Sequence, residues 1–138
     1  MATTSQTASN APSTSKAMLW TGRVLTALAI LFLLFDAFGK FVKPTPVVDA
    51  FTRLGIPITL SSSIGTLLLV CTILYAIPRT ATLGAILLTG YLGGAVAIHM
   101  RAGSSLFETV FPVIFGVLVW AGIYVRDCSL RKVFPVRR

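Results

Sequence analysis

The chain has 138 residues, 55% of them hydrophobic, and a mean hydropathy of +0.86, which excludes an ordinary soluble domain. Its formal net charge is +8, from twelve Lys and Arg residues against four Asp and Glu residues. The basic residues stand at the ends of apolar stretches and in the tails, and hardly any polar face is left for phosphates, which argues against nucleic-acid binding.

A polar segment, residues 1–16, opens the chain, and its Ala, Thr, Ser, Asn and Gln content predicts a disordered tail. The first apolar stretch after it is too long for a signal peptide and lacks a clear cleavage site, so we expect a retained anchor. The chain contains four such apolar stretches. Each is close to the roughly 20 residues that a helix needs to cross a bilayer. They predict an all-α integral membrane protein, a four-transmembrane-helix bundle within residues 17–125, with spans at 17–38, 60–77, 81–99 and 106–124.

The distribution of Lys and Arg predicts the orientation of the bundle. Eight of these residues lie on the side of the two termini and four lie on the other side. Because short loops rich in Lys and Arg stay inside, we expect both termini in the cytoplasm, with residues 126–138 as a basic cytoplasmic tail. Aromatic residues that favour the membrane interface fall on the same side: they are Trp20, Tyr75, Trp120 and Tyr124.

The connection between the first two spans, residues 39–59, contains a further helix. Thr45-Pro46 resembles an N-cap followed by the first helical residue, and Gly55 forms a stop. Asp49 and Arg53 are four apart and can pair on the polar side. We therefore predict a short amphipathic interfacial helix between helices 1 and 2, on the outer membrane face. It either covers a site as a lid or only covers the helix ends, and the second interpretation is favoured.

The third span is rich in glycine. Gly84, Gly90, Gly93 and Gly94 include the pair Gly90-x-x-x-Gly94, which lets a second helix approach closely in lipid. These four glycines are predicted helix-packing residues. Packing within the chain is favoured over packing against a second copy, although a homo-oligomer stays open.

Polar side chains converge at the outer ends of the spans. An ionisable group within a membrane is costly, so such groups usually pair and line a cavity. A functional polar pocket and a set of helix-end contacts are both open interpretations, the second favoured. The candidate pocket residues are Asp36, Lys40, His99, Arg101 and Glu108.

No pattern typical of catalysis stands out. The single histidine has no companions at metal-ligand spacing, so no metal site is predicted. Cys71 lies within a span as a core residue and Cys128 follows the last span, without a Cys-x-x-Cys pair. A Gly-rich phosphate loop and a Ser-His-Asp pattern are also missing. We predict no catalytic residue and no evident cofactor, and the sequence argues against an enzyme that works on its own.

Several segments resemble the DoxX-like family of small bacterial membrane proteins, over about residues 18–137. No single motif is diagnostic, but their order and spacing are similar to those of the family. The segments are GKF at 39–41, LYAIPRT at 74–80, LGAILLTGYLGGA at 83–95, HMRAG at 99–103, FP at 111–112 and WAGIYVRD at 120–127.

The resemblance implies a multi-pass four-helix bundle in a bacterial inner membrane. The family name derives from quinone-linked oxidase and thiosulfate-oxidising systems, and some members are tied to membrane oxidoreductase complexes that handle oxidative stress. Many relatives carry a Glu in the second span, where this chain has Leu67-Leu68-Leu69 and only Thr66 is polar. A pocket served by that carboxylate would therefore be altered here.

Three functions remain open. The favoured one is a non-catalytic subunit or accessory of a membrane redox system, with other redox subunits as partners and a bound quinone as an open possibility. The second is a small-molecule carrier or binding protein with a proton-coupled polar site at the extracytoplasmic side. The third is a structural or assembly factor.

Overall fold

The computed structural model describes residues 15–133, all of whose regular secondary structure is helical. Most of the tail predicted at 1–16 lies outside these residues, but Ser15 caps the first helix and Lys16 begins it. The elements, in order, are α1 (Lys16–Val42), α2 (Thr45–Leu54), a 3-10 turn (Ile58–Leu60), α3 (Ser61–Ala76), α4 (Ala81–Arg101), α5 (Leu106–Arg126) and α6 (Cys128–Val133).

Four of these elements are long and apolar enough to cross a membrane: α1, α3 with its preceding turn, α4 and α5. The predicted four-helix class is confirmed, and each span begins within two residues of its predicted start. α1 is longer than predicted and continues to Val42, because its helical backbone is broken only at Lys43, which adopts a left-handed conformation with φ +53°. The short helix α6 within the basic tail was not predicted.

The four spans form a closed ring in which each packs against two others: α1 on α3 and α5, and α4 on α3 and α5. Successive spans run in opposite directions along the chain, so all neighbouring pairs, including α1 and α5, are antiparallel. The end that carries α2 is called the α2 end below, and the end where α1 begins and α5 finishes is called the terminal end. The placement of the terminal end in the cytoplasm stays a prediction.

Mostly small and medium side chains fill the ring, with Tyr75 as the largest, while many large apolar side chains point outward. Phe35 is 75% exposed and Leu106 is 80% exposed, which suits lipid rather than water. All four spans contribute to one core cluster. Its members are Ala29, Leu33, Ala37, Leu68, Cys71, Tyr75, Ala81, Ala85, Leu88, Val119 and Ile123.

The predicted interfacial helix is present as α2, with a boundary one residue from the prediction. Pro44 rather than Thr45 occupies the N-cap, and no side chain caps the first turn. The predicted stop is correct, since Gly55 adopts a φ of +68° that a side chain would disfavour. Phe51 faces inward and is 7% exposed, so α2 lies with its apolar side on the bundle.

Candidate functional site

The first polar contact at the α2 end is the ion pair between Asp36 and Lys40 on α1. Lys40 Nζ lies 2.5 Å from Asp36 Oδ2, and the Lys40 side chain is 12% exposed. Lys40 also accepts a 2.7 Å hydrogen bond at its carbonyl from Ser61 Oγ, which is buried at the start of α3. Asp36 lies about 9 Å from the end of α1, at six residues of helical rise. The pair thus neutralises two charges within one candidate membrane span, and the Ser61 hydrogen bond to the Lys40 carbonyl holds α1 against α3.

The second group of polar contacts fixes α2 to the other two helices. Arg53 Nη1 lies 3.2 Å from Glu108 Oε1 at the start of α5. Arg101 Nη2 donates a 3.3 Å hydrogen bond to the Leu54 carbonyl at the end of α2. The expected pair between Asp49 and Arg53 is wrong, because Arg53 reaches across to Glu108 instead. α2 is therefore a strap, tied at its C-terminal end to both α4 and α5.

The third group closes the turn between α4 and α5. His99 Nδ1 lies 3.1 Å from Ser104 Oγ, and the Ser104 N–H donates to the His99 carbonyl at 3.0 Å. Ser105 and Glu108 then form a capping box at the start of α5. His99 therefore orders a tight turn, and Glu108 both caps α5 and holds α2.

The five candidate residues thus fall into three separate groups rather than one network. Among residues 15–133, the Asp36–Lys40 pair makes no side-chain hydrogen bond to His99, Arg101 or Glu108. Only Oδ2 of Asp36 accepts a hydrogen bond within this part of the chain, and the Asp36 side chain remains 40% exposed. A functional pocket at this end stays a prediction, centred on Asp36.

A buried polar contact that the sequence analysis missed lies nearer the terminal end. The Tyr75 hydroxyl of α3 donates a 3.0 Å hydrogen bond to the Val119 carbonyl of α5, and Tyr75 is completely buried. Thr26 of α1 and Gly122 of α5 lie at the same point, where a Cβ on Gly122 would come within 2.6 Å of Thr26 Oγ1. The signal was Tyr75 itself, assigned to the membrane interface instead of the core.

The four predicted packing glycines divide into two kinds. Gly84 lies at a close contact between α4 and α3, where an added Cβ would come 2.5 Å from Tyr75 Cα. At Gly90, Gly93 and Gly94 an added Cβ would meet no heavy atom of another described element within 4 Å. The favoured internal use is thus found at Gly84, while these three glycines face away from the bundle. They are called the glycine face below.

An apolar groove with a cavity volume of about 760 Å³ runs beside the glycine face, between α4 and α5. Trp120 forms part of its wall and donates a 2.8 Å hydrogen bond from Nε1 to Thr89 Oγ1 across the two helices. This α4–α5 groove was not anticipated from the sequence. It is lined by Thr89, Leu92, Gly93, Val96, Pro112, Val113, Gly116, Val117, Trp120, Ala121, Tyr124 and Leu130.

The contacts found at these features are ion pairs, hydrogen bonds and apolar packing. Within residues 15–133, no three His, Cys, Asp or Glu side chains are grouped as metal ligands. Cys71 is buried in the core of α3, while Cys128 is exposed beyond α5. The molecule thus offers three surfaces on which another molecule could bind: the Asp36 carboxylate, the glycine face and the α4–α5 groove.

Comparison with known proteins agrees with this architecture. No curated protein and no solved structure matches the chain. Residues 24–122 match the profile of the DoxX-like family, from the first turns of α1 to the last turn of α5. The matched region contains α3 and α4 entirely, most of α1 and α5, the strap and the turn that His99 closes, and the chain belongs to the DoxX-like family.

Proposed function

We propose that this DoxX-like protein is a non-catalytic subunit or accessory of a membrane redox system, and that a transmembrane helix of its partner docks on the glycine face. The observation that carries the proposal is the open space above Gly90, Gly93 and Gly94. Helices associate in lipid through close van der Waals contact, and small residues permit it. The redox context comes from the family resemblance, as does placement in a bacterial inner membrane.

The groove does not fit the redox head group of a quinone. Quinone carbonyl oxygens need hydrogen-bond donors, but the Trp120 N–H is engaged by Thr89. The Thr89 hydroxyl in turn donates to the Ala85 carbonyl at 2.7 Å. Tyr124, the other polar side chain of the lining, also has a partner. The accessory role is therefore proposed through partner contact, without a quinone in this groove.

The test is co-purification of the full chain after gentle extraction, compared between two leucine variants. Gly94→Leu fills the open side of α4, while Ala27→Leu adds comparable bulk on the exposed side of α1. We expect an oxidoreductase subunit, identified by its own cofactor, to accompany the wild type and Ala27→Leu but not Gly94→Leu. Quinol-dependent oxygen consumption of the membranes should fall with it. Equal recovery with both variants, or a homo-oligomer alone, would contradict the proposal.

A second candidate, a small-molecule carrier, is favoured by the Asp36 carboxylate. The Asp36 side chain is 40% exposed, and its Oδ1 accepts no hydrogen bond from residues 15–133, which leaves this oxygen open to a ligand. Asp36→Asn and His99→Ala should then abolish uptake or change its pH dependence. If both variants work normally while Gly94→Leu does not, the accessory or assembly role is supported instead.

The proposed orientation is testable at the exposed Cys128. If the terminal end is cytoplasmic, a membrane-impermeant maleimide should label Cys128 only after the cells are opened. Cys71 is buried and should not react. Thr52→Cys on the exposed side of α2 is the matched control and should be labelled in intact cells. The reverse pattern would place the terminal end outside.

A further inference from the structure

The length of the α4–α5 groove restricts what can occupy it. Its α5 wall extends from Pro112 to Tyr124, which is about 18 Å at the helical rise per residue. One leaflet supplies about half of the roughly 30 Å hydrocarbon core. The groove therefore fits a chain that belongs to one leaflet, rather than a helix that spans both.

The lining of the groove suits an acyl chain. Gly93 and Gly116 leave room on the two facing helices because neither carries a side chain, and the surrounding residues are mostly aliphatic. Trp120 and Tyr124 lie towards the terminal end, as expected near a membrane interface. Leu130 of α6 borders the groove at this end. The head group of an occupant would therefore lie next to α6 and the turn between α3 and α4.

Positive charge dominates this end of the molecule. Lys132 on α6 and Arg79 just before α4 are both exposed and both belong to the terminal end. The one acidic residue in the described part of this end, Asp127, accepts a 2.8 Å hydrogen bond from the Ser129 N–H. The described cations at this end are Lys16, Arg23, Arg79, Arg126, Arg131 and Lys132.

We propose that the α4–α5 groove binds an anionic phospholipid, with one acyl chain between the two helices and its phosphate at Lys132 and Arg79. Basic sites between transmembrane helices select acidic head groups by charge. A neutral lipid would make the apolar contacts of the groove but not the contact with the basic side chains. A quinone has no phosphate for these side chains and would find no free hydrogen-bond donor in the groove. Gly93 belongs to both the groove and the glycine face, whereas Gly90 and Gly94 do not line the groove, so lipid binding and partner docking can be tested separately.

The first experiment measures lipid retention by native mass spectrometry on the full chain in mild detergent. Phosphatidylglycerol and phosphatidylcholine with identical acyl chains are added in equal amounts. We expect one retained phosphatidylglycerol in the wild type and in Gly90→Leu, and its loss in Gly93→Leu. Both substitutions enter open space on α4, but only Gly93 lines the groove. Equal retention of the two lipids, or equal behaviour of the two variants, would overturn the proposal.

The second experiment tests the charge contact. Lys132→Gln and Arg79→Gln should each weaken phosphatidylglycerol binding by about fivefold, the usual effect of one cation near an anionic surface. Lys43→Gln removes a cation at the α2 end and is the matched control. Unchanged affinity in both terminal-end variants would overturn the assignment of the head-group site.

A third measurement reads the groove directly and does not depend on lipid release. The chain has two tryptophans, and Trp20→Phe leaves Trp120 as the single tryptophan whose emission is followed. Brominated acyl chains should quench Trp120 at lower mole fractions when carried by phosphatidylglycerol than by phosphatidylcholine. Gly93→Leu should remove this difference. Identical quenching curves for the two lipids in the Trp20→Phe protein would contradict the proposal.

Discussion

The contact at Gly84 gives the sharpest test of the packing. In Gly84→Ala the new Cβ would lie 2.5 Å from Tyr75 Cα and 2.8 Å from the Leu74 carbonyl carbon, against the 3.4 Å or more of ordinary contact. These are backbone atoms, which cannot rotate aside as a flexible side chain does. α3 and α4 would therefore have to separate by close to an ångström. That movement also strains the buried hydrogen bond from Tyr75 to Val119.

The expected loss of stability follows from two opposing terms. Overpacking in a tight core costs about 1–3 kcal/mol, while replacing glycine by alanine within a helix gains about 1 kcal/mol. Because the clash is with backbone atoms, its cost should lie at the upper end of this range. After the gain from alanine is subtracted, the free energy of unfolding should fall by about 2 kcal/mol. Gly90→Ala and Gly94→Ala keep only the favourable term, because their Cβ atoms enter open space.

Reversible unfolding of the purified chain in mixed detergent micelles, followed by steric trapping or circular dichroism, measures these differences. Gly84→Ala should unfold at a clearly lower denaturing detergent fraction than the wild type, and the two control variants should not. If Gly84→Ala matched Gly90→Ala in stability, the close approach of α3 and α4 would be refuted.

Three further predictions concern contacts between elements. Tyr75→Phe removes the buried hydrogen bond to Val119 and should lower the unfolding free energy by about 1 kcal/mol, measured in the same micelles. The ring centroids of Phe32 and Phe115 lie 4.0 Å apart in a stacked arrangement, so a double-mutant cycle to alanine should give a coupling energy in the unfolding free energy of about 1 kcal/mol. A coupling energy of zero would contradict the stacking. Glu108→Gln breaks the ion pair with α2, so amide hydrogen exchange in α2 should quicken while α3 is unchanged.

Hydropathy predicted the helical class because lipid constrains both the backbone and the side chains of every residue in a span. Backbone groups must be satisfied within the helix, and side chains must be apolar over a fixed length. The start of α4 at Ala81 and the start of α5 at Leu106 could therefore be read from the sequence. The strap α2 followed from a local signal, the turn at Gly55, whose positive φ requires no knowledge of the tertiary structure.

Pairing partners were predicted only where they were local in sequence. Asp36 and Lys40 are four residues apart on one helix, and their contact follows from helix geometry. The same spacing predicted an ion pair between Asp49 and Arg53, but Arg53 pairs with Glu108, which is 55 residues away in the sequence. Spacing on one helix sets which side chains share a face, whereas tertiary packing decides which of them meets a better partner.

The glycines of α4 show why the sequence pattern alone could not tell which side of this helix packs inside the chain. Gly84 and Gly90 look equivalent in sequence, yet one faces α3 and the other faces outward, since they are six residues apart and lie on different sides of α4. In a soluble protein the outward side would be polar and the two sides would be distinguishable. In a membrane both sides are apolar, so the hydropathy pattern carries no information about which side packs inside the chain.

Binding is expected on the outward side of α4 rather than at the α2 end of the bundle. The charged residues at the α2 end mostly join elements: Lys40 holds α3 through its carbonyl, and Glu108 holds α2. Contacts of this kind are already made within the chain and leave little to offer a partner. The outward side of α4 is the reverse case, because its glycines and the neighbouring groove beside Trp120 gain contacts only when another molecule arrives. Because the polar side chains at the α2 end mostly contact each other and the outward side of α4 is open, the lipids and proteins that co-purify with the bundle are the most direct test of its function.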